Sequence, residues 1–221
     1  MTNEKGFSGP HQGQPVYAAG APLESAKAAM VMIHGRGATA ESILTLVDTI
    51  DTTGFAYLAP QASGNTWYPN SFLAPIPTNE PGISSGLQLI AEIIASIESA
   101  GIEANRIMLL GFSQGACLSL EYAARHAQRF GGVCGLSGGL IGPDDTPRDY
   151  AGTFAGTPLF LGCSDVDSHV PKKRVEETAG ILQRMKAEVT MRIYPGMGHL
   201  VNEDEIAEVK RMMTAVSGSE R

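Results

Sequence analysis

Short apolar runs alternate with longer amphipathic segments along most of the chain. Seven runs of four to six residues predict β-strands, at 15–19, 29–33, 55–59, 107–110, 132–136, 159–162 and 189–194. Apolar residues that recur every three or four positions predict helices over 86–100, 173–186 and 203–216. Strands that alternate with such helices indicate βαβ units. We therefore expect an α/β domain whose sheet is mainly parallel, with about seven strands and with helices on both faces.

Two of the predicted strands, MVMI at 30–33 and RIMLL at 106–110, are apolar almost without interruption. Such runs are typical of strands that are buried on both faces of a sheet. In open α/β sheets, the active site lies beyond the carboxyl ends of the strands. The residues that directly follow each strand are therefore the ones in which we look for chemistry.

The length and composition of the chain fit one domain. The chain has 221 residues, of which 43% are apolar and 18% are charged, so it carries ample material for a single core. Residues 1–13 contain Gly, Pro and Gln and predict a mobile N-terminal tail, which leaves 14–221 as one domain. No segment between the predicted strands has the size of an inserted cap domain.

Charge and cysteine content narrow the classes of partner and compartment. The formal net charge of −7 argues against a nucleic-acid partner, because phosphate binding relies on clustered Lys and Arg. No segment approaches the ~18 apolar residues of a transmembrane helix, and the N-terminal residues show no signal-peptide pattern. Cys117, Cys134 and Cys163 match neither a disulfide framework nor a zinc site, so we expect buried, reduced thiols. Together these features predict a cytoplasmic protein.

Two pentapeptides match Gly-x-Ser-x-Gly, the pattern of a serine nucleophile on a sharp turn: GFSQG at 111–115 and GLSGG at 135–139. Such a turn requires a strand before the serine and a helix directly after it. Ser113 follows RIMLL and precedes the helix-forming sequence ACLSLEYAARHA, whereas the residues after Ser137 include glycines, a proline and two aspartates and indicate a loop. We therefore expect Ser113 to be the nucleophile and Ser137 to end a strand.

A serine hydroxyl is a weak nucleophile until a base takes its proton, and a third group must hold that base. The partners of this serine motif follow in the order serine, acid, histidine. Of the five histidines, only His199 lies in the last strand-to-helix loop, within PGMGHLVNEDE. The acid is expected after the strand PLFLG, where Asp165 and Asp167 both stand, and the spacing does not separate them. The sequence thus predicts a catalytic triad with two candidates for its acid.

The turn after the strand MVMI supplies the remaining part of an acyl-transfer site. Two backbone N–H groups are needed to stabilise the oxyanion that forms when a carbonyl is attacked. One is expected from Gln114, the residue after the nucleophile, and the other from Arg36 in HGRGA, where Gly35 and Gly37 permit an unusual backbone. A phosphate-binding loop is the rival interpretation of HGRGA, but the segment lacks the spacing of the glycine-rich phosphate motifs.

The segments HGRGA, GFSQG, DVDSHVP and GMGH occur in the order found in the small serine carboxylesterases of the α/β-hydrolase fold, which the chain resembles over about residues 16–216. This is the phospholipase/carboxylesterase group, which includes bacterial family VI esterases and acyl-protein thioesterases. The resemblance implies that 14–221 form a single catalytic domain and that the acid is the Asp of an Asp-x-x-Val-Pro motif, here Asp167. The chain departs from this group at Arg36, where an apolar residue is usual, and at 163–164, where Cys-Ser replaces the common His-Gly.

The longest irregular stretch, 60–85, predicts a substrate-binding loop because ordinary loops are shorter. In the group that the chain resembles, the corresponding loop forms part of the substrate cleft. Apolar side chains in this loop and beside the acid and the histidine are candidates for lining an acyl pocket. They are Trp67, Phe72, Leu73, Val170 and Met197. The alternative for 60–85 is a loop that packs on itself around a private core.

These residues and the resemblance together predict a carboxylesterase that hydrolyses carboxylic esters with short to medium acyl chains through an acyl-enzyme. No metal or organic cofactor is expected. The expected partner is a small-molecule ester, and the chain is expected to act as a monomer or a homodimer. One alternative is an acyl-protein thioesterase or lysophospholipase that acts on long-chain substrates. A non-catalytic binding module is a remoter alternative, because all three triad residues are present.

Overall fold

The computed structural model describes residues 9–50 and 53–218 and contains one seven-stranded sheet. The strands are β1 (Val16–Gly20), β2 (Ala28–Ile33), β3 (Phe55–Pro60), β4 (Ile107–Phe112), β5 (Gly132–Leu136), β6 (Pro158–Ser164) and β7 (Glu188–Tyr194). The α-helices in the described residues are α1 (Ala40–Leu44), α2 (Val47–Ile50), α3 (Gly82–Ser99), α4 (Gln114–Arg125), α5 (Lys172–Arg184) and α6 (Glu203–Ser217). Each of the seven strand predictions is confirmed within one or two residues at either end.

The strands lie in the order β1-β3-β2-β4-β5-β6-β7. Neighbouring strands are parallel except β1 and β3, which run antiparallel with Val16 opposite Pro60. The two strands that were predicted to be buried on both faces, β2 and β4, lie side by side in the sheet, with Met30 opposite Met108. This mainly parallel sheet between helices confirms the predicted α/β-hydrolase fold.

The sheet separates two apolar cores, because successive side chains of a strand point to opposite faces. Val31 and Ile33 of β2 belong to the core that packs against α3, α4 and α5. Met30 and Met32 of the same strand belong to the core against α1, α2 and α6. Full burial stabilises each such side chain by roughly 1.5–3 kcal/mol, which is why both helical layers stay on the sheet. The prediction of helices on both faces is confirmed.

Helix α3 begins at Gly82, four residues before its predicted start. The carboxylate of Glu80 accepts hydrogen bonds from the backbone N–H and the hydroxyl of Ser84, at 3.0 and 2.9 Å. Gly82 lies so close to the carbonyl of Trp67 that a Cβ atom would not fit there. The first turn of α3 carries few apolar residues, so its periodicity did not reveal it.

The predicted N-terminal tail lies mostly outside the described residues, and its described part, 9–13, corrects the prediction. His11 is buried, with 1% of its surface exposed. Its Nε2–H donates to the Trp67 carbonyl at 2.8 Å, its Nδ1 accepts the N–H of Ser63 at 3.1 Å, and its own N–H donates to the Ser85 hydroxyl at 2.9 Å. Burial lowers the pKa of His11, so the ring is neutral and fits this set of partners.

None of the described helices is both long and apolar enough to cross a membrane.

Candidate active site

Ser113 lies on a sharp turn between β4 and α4. Its backbone has φ 56° and ψ −119°, a conformation that residues other than glycine rarely adopt. Glycines flank it because side chains would collide: a Cβ on Gly111 would meet the carbonyl of Gly115, and a Cβ on Gly115 would meet the carbonyl of Ile33. The predicted strand–serine–helix turn is therefore present, and it places Ser113 at the carboxyl end of the sheet.

Ser113, His199 and Asp167 form a continuous chain of hydrogen bonds. The Ser113 hydroxyl donates to Nε2 of His199 at 2.8 Å, and Nδ1–H of His199 donates to Oδ2 of Asp167 at 2.7 Å. The carboxylate can only accept, which assigns the ring proton to Nδ1. Asp165 instead accepts the N–H of Gly196 at 2.8 Å. Of the two candidate acids, Asp167 is the one that contacts the histidine.

The environment of Asp167 keeps its carboxyl group charged. Burial by itself acts to raise the pKa of Asp167, since its side chain is fully buried. Hydrogen bonds from the His199 ring and from the N–H groups of His169 and Val170, the latter two at 2.8 and 3.0 Å, outweigh that effect and lower the pKa. The carboxylate therefore holds His199 in the tautomer whose Nε2 faces Ser113.

The residues at 163–164, where the chain departs from the group that it resembles, lie against the acid and the histidine loop. The Ser164 hydroxyl accepts the N–H of Gly198 at 3.0 Å and that of Val166 at 3.2 Å, so it ties the two loops together. The Cys163 thiol lies 3.8 Å from Oδ2 of Asp167. Burial raises the pKa of Cys163 to about 12, so the thiol stays protonated and can donate weakly to that oxygen.

The turn of HGRGA lies directly against the serine. A Cβ on Gly35 would come within 3.3 Å of the Ser113 Cβ. Burial lowers the pKa of His34, so its ring is neutral. Its Nδ1–H donates to the Gly35 carbonyl at 2.8 Å, while its Nε2 accepts the N–H of Ala62 at 3.1 Å. His34 thereby fixes the path of this turn beside Ser113.

The backbone N–H groups of Arg36 and Gln114 have no hydrogen-bond acceptor in residues 9–50 and 53–218. Gln114 is the first residue of α4, where N–H groups point out of the helix and carry the positive end of its dipole. Arg36 follows Gly35, and both residues line the same cleft as Ser113. Both predicted donors are therefore available to an anion that forms at the serine.

The side chains of the same two residues hold the cleft loop, which we define as 67–70. The side-chain amide of Gln114 accepts the N–H of Trp67 at 2.9 Å and donates to the carbonyl of Tyr68 at 2.8 Å. The guanidinium of Arg36 donates to the carbonyls of the third and fourth residues, at 2.8 and 2.5 Å. Four consecutive residues of the cleft loop are thus tied to the two residues that carry the free N–H groups.

An open cleft of about 410 Å³ lies over Ser113. Its apolar lining consists of Tyr68, Pro69, Phe72, Phe112, Cys117 and Val170, with Ala38 and Gly35. Its polar lining consists of Arg36, Asn70, Ser71, Gln114, His169 and His199, together with Ser113. An apolar cleft with a few polar groups at one point is the usual form of a small-molecule site.

Of the five predicted acyl-pocket residues, Phe72 and Val170 line this cleft. Trp67 does not, which corrects the prediction for the tryptophan. Its side chain is fully buried, and its indole N–H donates to the carbonyl of His34 at 2.9 Å. A buried tryptophan needs a partner for that group, and this bond turns the ring toward the protein interior.

Leu73 and Met197 are also absent from the cleft lining, which corrects the prediction for both. Leu73 packs against the core that covers the α3 face of the sheet. The sulfur of Met197 accepts a hydrogen bond from the Asn202 side chain at 2.8 Å, at the start of α6. Apolar character alone does not tell whether a side chain faces a cleft or a core.

Phe112, Cys117 and His169 also line the cleft, although they were not predicted as site residues. Their positions carried a signal, because Phe112 lies within GFSQG, His169 lies within DVDSHVP, and Cys117 stands one helical turn after Ser113. The Phe112 ring lies 5.1 Å from the His199 ring, measured between centroids, and the His169 ring lies 4.8 Å from it. Both rings therefore pack beside the imidazole of His199.

The sequence matches the phospholipase/carboxylesterase family over residues 17–217, which confirms the predicted resemblance. It is similar to acyl-protein thioesterase 1 from Gibberella zeae, with 30% identity over 60% of this chain and 57% of that protein. It is also similar to acyl-protein thioesterase 1 from Debaryomyces hansenii, with 26% identity over 91% of this chain and 97% of that protein. The chain thus spans just over half the length of the first of these relatives and nearly all of the second.

Two solved structures extend the comparison. A phospholipase/carboxylesterase from Dyadobacter fermentans has a TM-score of 0.88 and 44% identity, and the match covers 90% of this chain and 96% of that one. Acyl-protein thioesterase 2 from Zea mays has a TM-score of 0.73 and 22% identity, and the match covers 93% of this chain and 100% of that one. The second likeness concerns the fold alone.

Proposed function

This chain belongs to the phospholipase/carboxylesterase family of ester-cleaving hydrolases, and we propose that it is a serine carboxylesterase acting on esters with short to medium acyl chains. The observation that carries the proposal is the hydrogen-bond chain from Ser113 through His199 to Asp167, at 2.8 and 2.7 Å. It lies in an open cleft at the carboxyl end of the sheet, where a substrate can reach the hydroxyl.

In the first half of the proposed reaction, the substrate carbonyl carbon is attacked by Oγ of Ser113. The hydroxyl proton moves to Nε2 of His199, and the new C–O bond gives a tetrahedral intermediate. When the intermediate collapses, the bond to the leaving oxygen or sulfur breaks, and His199 gives its proton to that atom. The acyl group stays on Ser113 as an ester.

In the second half, water takes the place of the departed alcohol or thiol. His199 removes a proton from the water, whose oxygen attacks the acyl carbon and forms a second tetrahedral intermediate. Its collapse breaks the bond to Oγ, returns the proton from His199 to Ser113 and releases the carboxylic acid. The charged Asp167 stabilises the protonated imidazole in both halves.

Both tetrahedral intermediates carry a negative charge on the former carbonyl oxygen. The N–H groups of Arg36 and Gln114 are the proposed donors to this oxyanion, because they lie beside Ser113 and have no other acceptor in the described structure. A donor of this kind typically lowers the barrier by about 3–4 kcal/mol. Since the groups belong to a fixed turn and a helix N-terminus, little reorganisation is needed when the charge forms.

The size and lining of the cleft support short to medium acyl chains. Its volume of about 410 Å³ lies toward the lower end of the ~300–1,000 Å³ that is common for ligand pockets. Three buried side chains in its wall, those of Tyr68, Phe72 and Cys117, provide apolar surface for an acyl chain.

The second candidate function is thioester hydrolysis with long acyl chains. It is favoured by the names of relatives, since those from Gibberella zeae and Debaryomyces hansenii are acyl-protein thioesterases. The same triad can cleave either kind of bond, because the attack is on the carbonyl carbon in both.

Hydrolysis of 4-nitrophenyl esters from acetate to palmitate separates the two candidates, because the leaving group is constant. We expect kcat/KM to peak between butyrate and octanoate and to fall for palmitate. A value that rises through to palmitate would favour the long-chain alternative. Ser113→Ala is the background control, and hydrolysis by this variant at the wild-type rate would contradict a serine mechanism altogether.

A further inference from the structure

His169 stands beside His199 on the wall of the cleft. The two ring centroids lie 4.8 Å apart with the ring planes at 67°, an edge-to-face contact. The His169 side chain is exposed and lines the cleft. In the part of the chain that the structure describes, neither of its ring nitrogens has a hydrogen-bond partner. A polar group is thus presented to whatever occupies the cleft next to His199.

The backbone of His169 is held independently of its ring. Its N–H donates to Oδ1 of Asp167 at 2.8 Å, and the next residue, Val170, donates to the same oxygen at 3.0 Å. These two bonds involve only backbone N–H groups, so they do not depend on the imidazole. A change of the His169 side chain can be made without removing a bond to the acid.

The leaving group is the part of the substrate that must lie nearest His199. Because Nε2 of His199 gives its proton to the leaving atom, that atom lies within hydrogen-bond distance of the imidazole during collapse of the intermediate. The buried apolar wall, including Phe72 and Cys117, suits the acyl chain. The exposed rim at His169 is then left for the rest of the alcohol or thiol.

The charges around the cleft favour a hydrogen-bond acceptor at this rim. None of the fifteen residues that line the cleft is acidic, although the whole chain carries a net charge of −7. The lining includes the cationic side chain of Arg36, whose guanidinium is fixed by carbonyls of the cleft loop. An acceptor oxygen on the leaving group therefore meets a free ring N–H and no carboxylate of the cleft lining.

We propose that His169 is a specificity-determining residue that donates a ring N–H to an acceptor oxygen on the leaving group. The enzyme then prefers esters whose leaving alcohol carries a carboxylate, phosphate or carbonyl oxygen over esters of apolar alcohols. This inference rests on the proposed function, since a leaving group exists only if the site performs acyl transfer.

Two butyrate esters with the same acyl group test the proposal: phenyl butyrate and 3-carboxyphenyl butyrate. His169→Phe keeps a ring for the contact with His199 and removes the N–H donor. We expect kcat/KM for the carboxyphenyl ester to fall about tenfold, mainly through KM, and kcat/KM for the phenyl ester to change less than about twofold. His169→Gln, which has an N–H donor without a ring, restores part of the preference.

His126→Phe is the matched control, because His126 is exposed on the far end of α4 and stacks on Tyr122 at 4.5 Å. It is expected to leave both esters unaffected. Equal losses for the two esters in His169→Phe overturn the proposal, because they mean that the ring only positions His199. Unchanged values for both esters overturn it as well. If the wild-type protein cleaves neither ester, the proposed function fails first and the inference fails with it.

Discussion

Ser113 and Ser137 differ in what surrounds them, although both have a positive φ, of 56° and 52°. Ser113 directly precedes α4 and its hydroxyl donates to His199, whereas Ser137 is fully buried and its N–H donates to the carbonyl of Gly162 at 2.7 Å. The sequence separated the two because only one is followed by helix-forming residues. Spacing alone could not separate Asp165 from Asp167, since both lie in one short loop. The resemblance to the family motif implied Asp167, which is the residue that contacts the imidazole.

A comparison of two amides tests which aspartate holds the histidine. We expect Asp167→Asn to lower kcat for ester hydrolysis by about 10⁴-fold, because an amide in place of the carboxylate favours the wrong tautomer of His199. Asp165→Asn is the matched control, since its Oδ1 can still accept the N–H of Gly196. It should retain kcat within about threefold of the wild type. Similar losses in both variants would refute the assignment.

The cleft loop, 67–70, shows how far an element can be predicted. It lies within 60–85, the stretch whose length and apolar residues predicted a substrate-binding loop, and part of that stretch does line the cleft. Which of its side chains face the cleft depends on distant partners: the indole of Trp67 turns inward toward the carbonyl of His34, and Gln114 and Arg36 hold its backbone. Partners more than thirty residues away in sequence leave no local pattern, so the side-chain directions could not be predicted.

The two side-chain ties of the cleft loop should differ in strength because one is buried and the other is exposed. Gln114→Met leaves a buried N–H and a buried carbonyl without partners, and we expect a loss of about 2 kcal/mol in the free energy of unfolding. Arg36→Met exposes two carbonyls that water can bind, so its loss should stay within about 0.5 kcal/mol. Urea denaturation measures both, and the reverse order would contradict this account of the loop.

At the scale of the whole molecule, the positions of the strands were easier to predict than the direction of the edge strand and the structure of the connecting segments. The central strands are apolar along their whole length, so their burial was visible in the sequence. Helices α1 and α2 have only five and four residues, too few for a periodic pattern. The antiparallel direction of β1 depends on its pairing with β3, and the packing of His11 depends on residues far along the chain. None of these has a local signal.

Glu205 makes the stability of the fold depend on pH. It lies in the first turn of α6, packs against Gly162 of β6, and its Oε1 is buried without a partner among the described residues. Burial raises the pKa of Glu205 from 4.5 to about 7, while a hydrogen bond from the Asn202 N–H lowers it and the charge of Asp204 raises it. Between these values the folded state binds more protons than the unfolded chain, so the free energy of unfolding falls as pH rises.

Glu205→Gln removes this dependence because its neutral side chain resembles the protonated acid. We compare the free energy of unfolding of Glu205→Gln with that of the wild type. As the pH rises from about 5 to about 8, this difference should grow in favour of the variant by on the order of 2 kcal/mol. The exposed Glu203→Gln on the same helical turn is the control and should leave the pH profile parallel to that of the wild type. Chemical denaturation at the two pH values gives the difference. A constant gap between Glu205→Gln and the wild type would rule out a titrating Glu205.

The most direct test of Ser113 as the nucleophile is covalent labelling with a fluorophosphonate, followed by mass spectrometry of the proteolytic peptides. We expect one adduct per chain, on the peptide that contains Ser113 and not on the one that contains Ser137. Ester hydrolysis should fall in proportion to the labelled fraction, and folded Ser113→Ala protein should stay unlabelled. An adduct on Ser137, or full hydrolysis by protein that is completely labelled at Ser113, would contradict the mechanism.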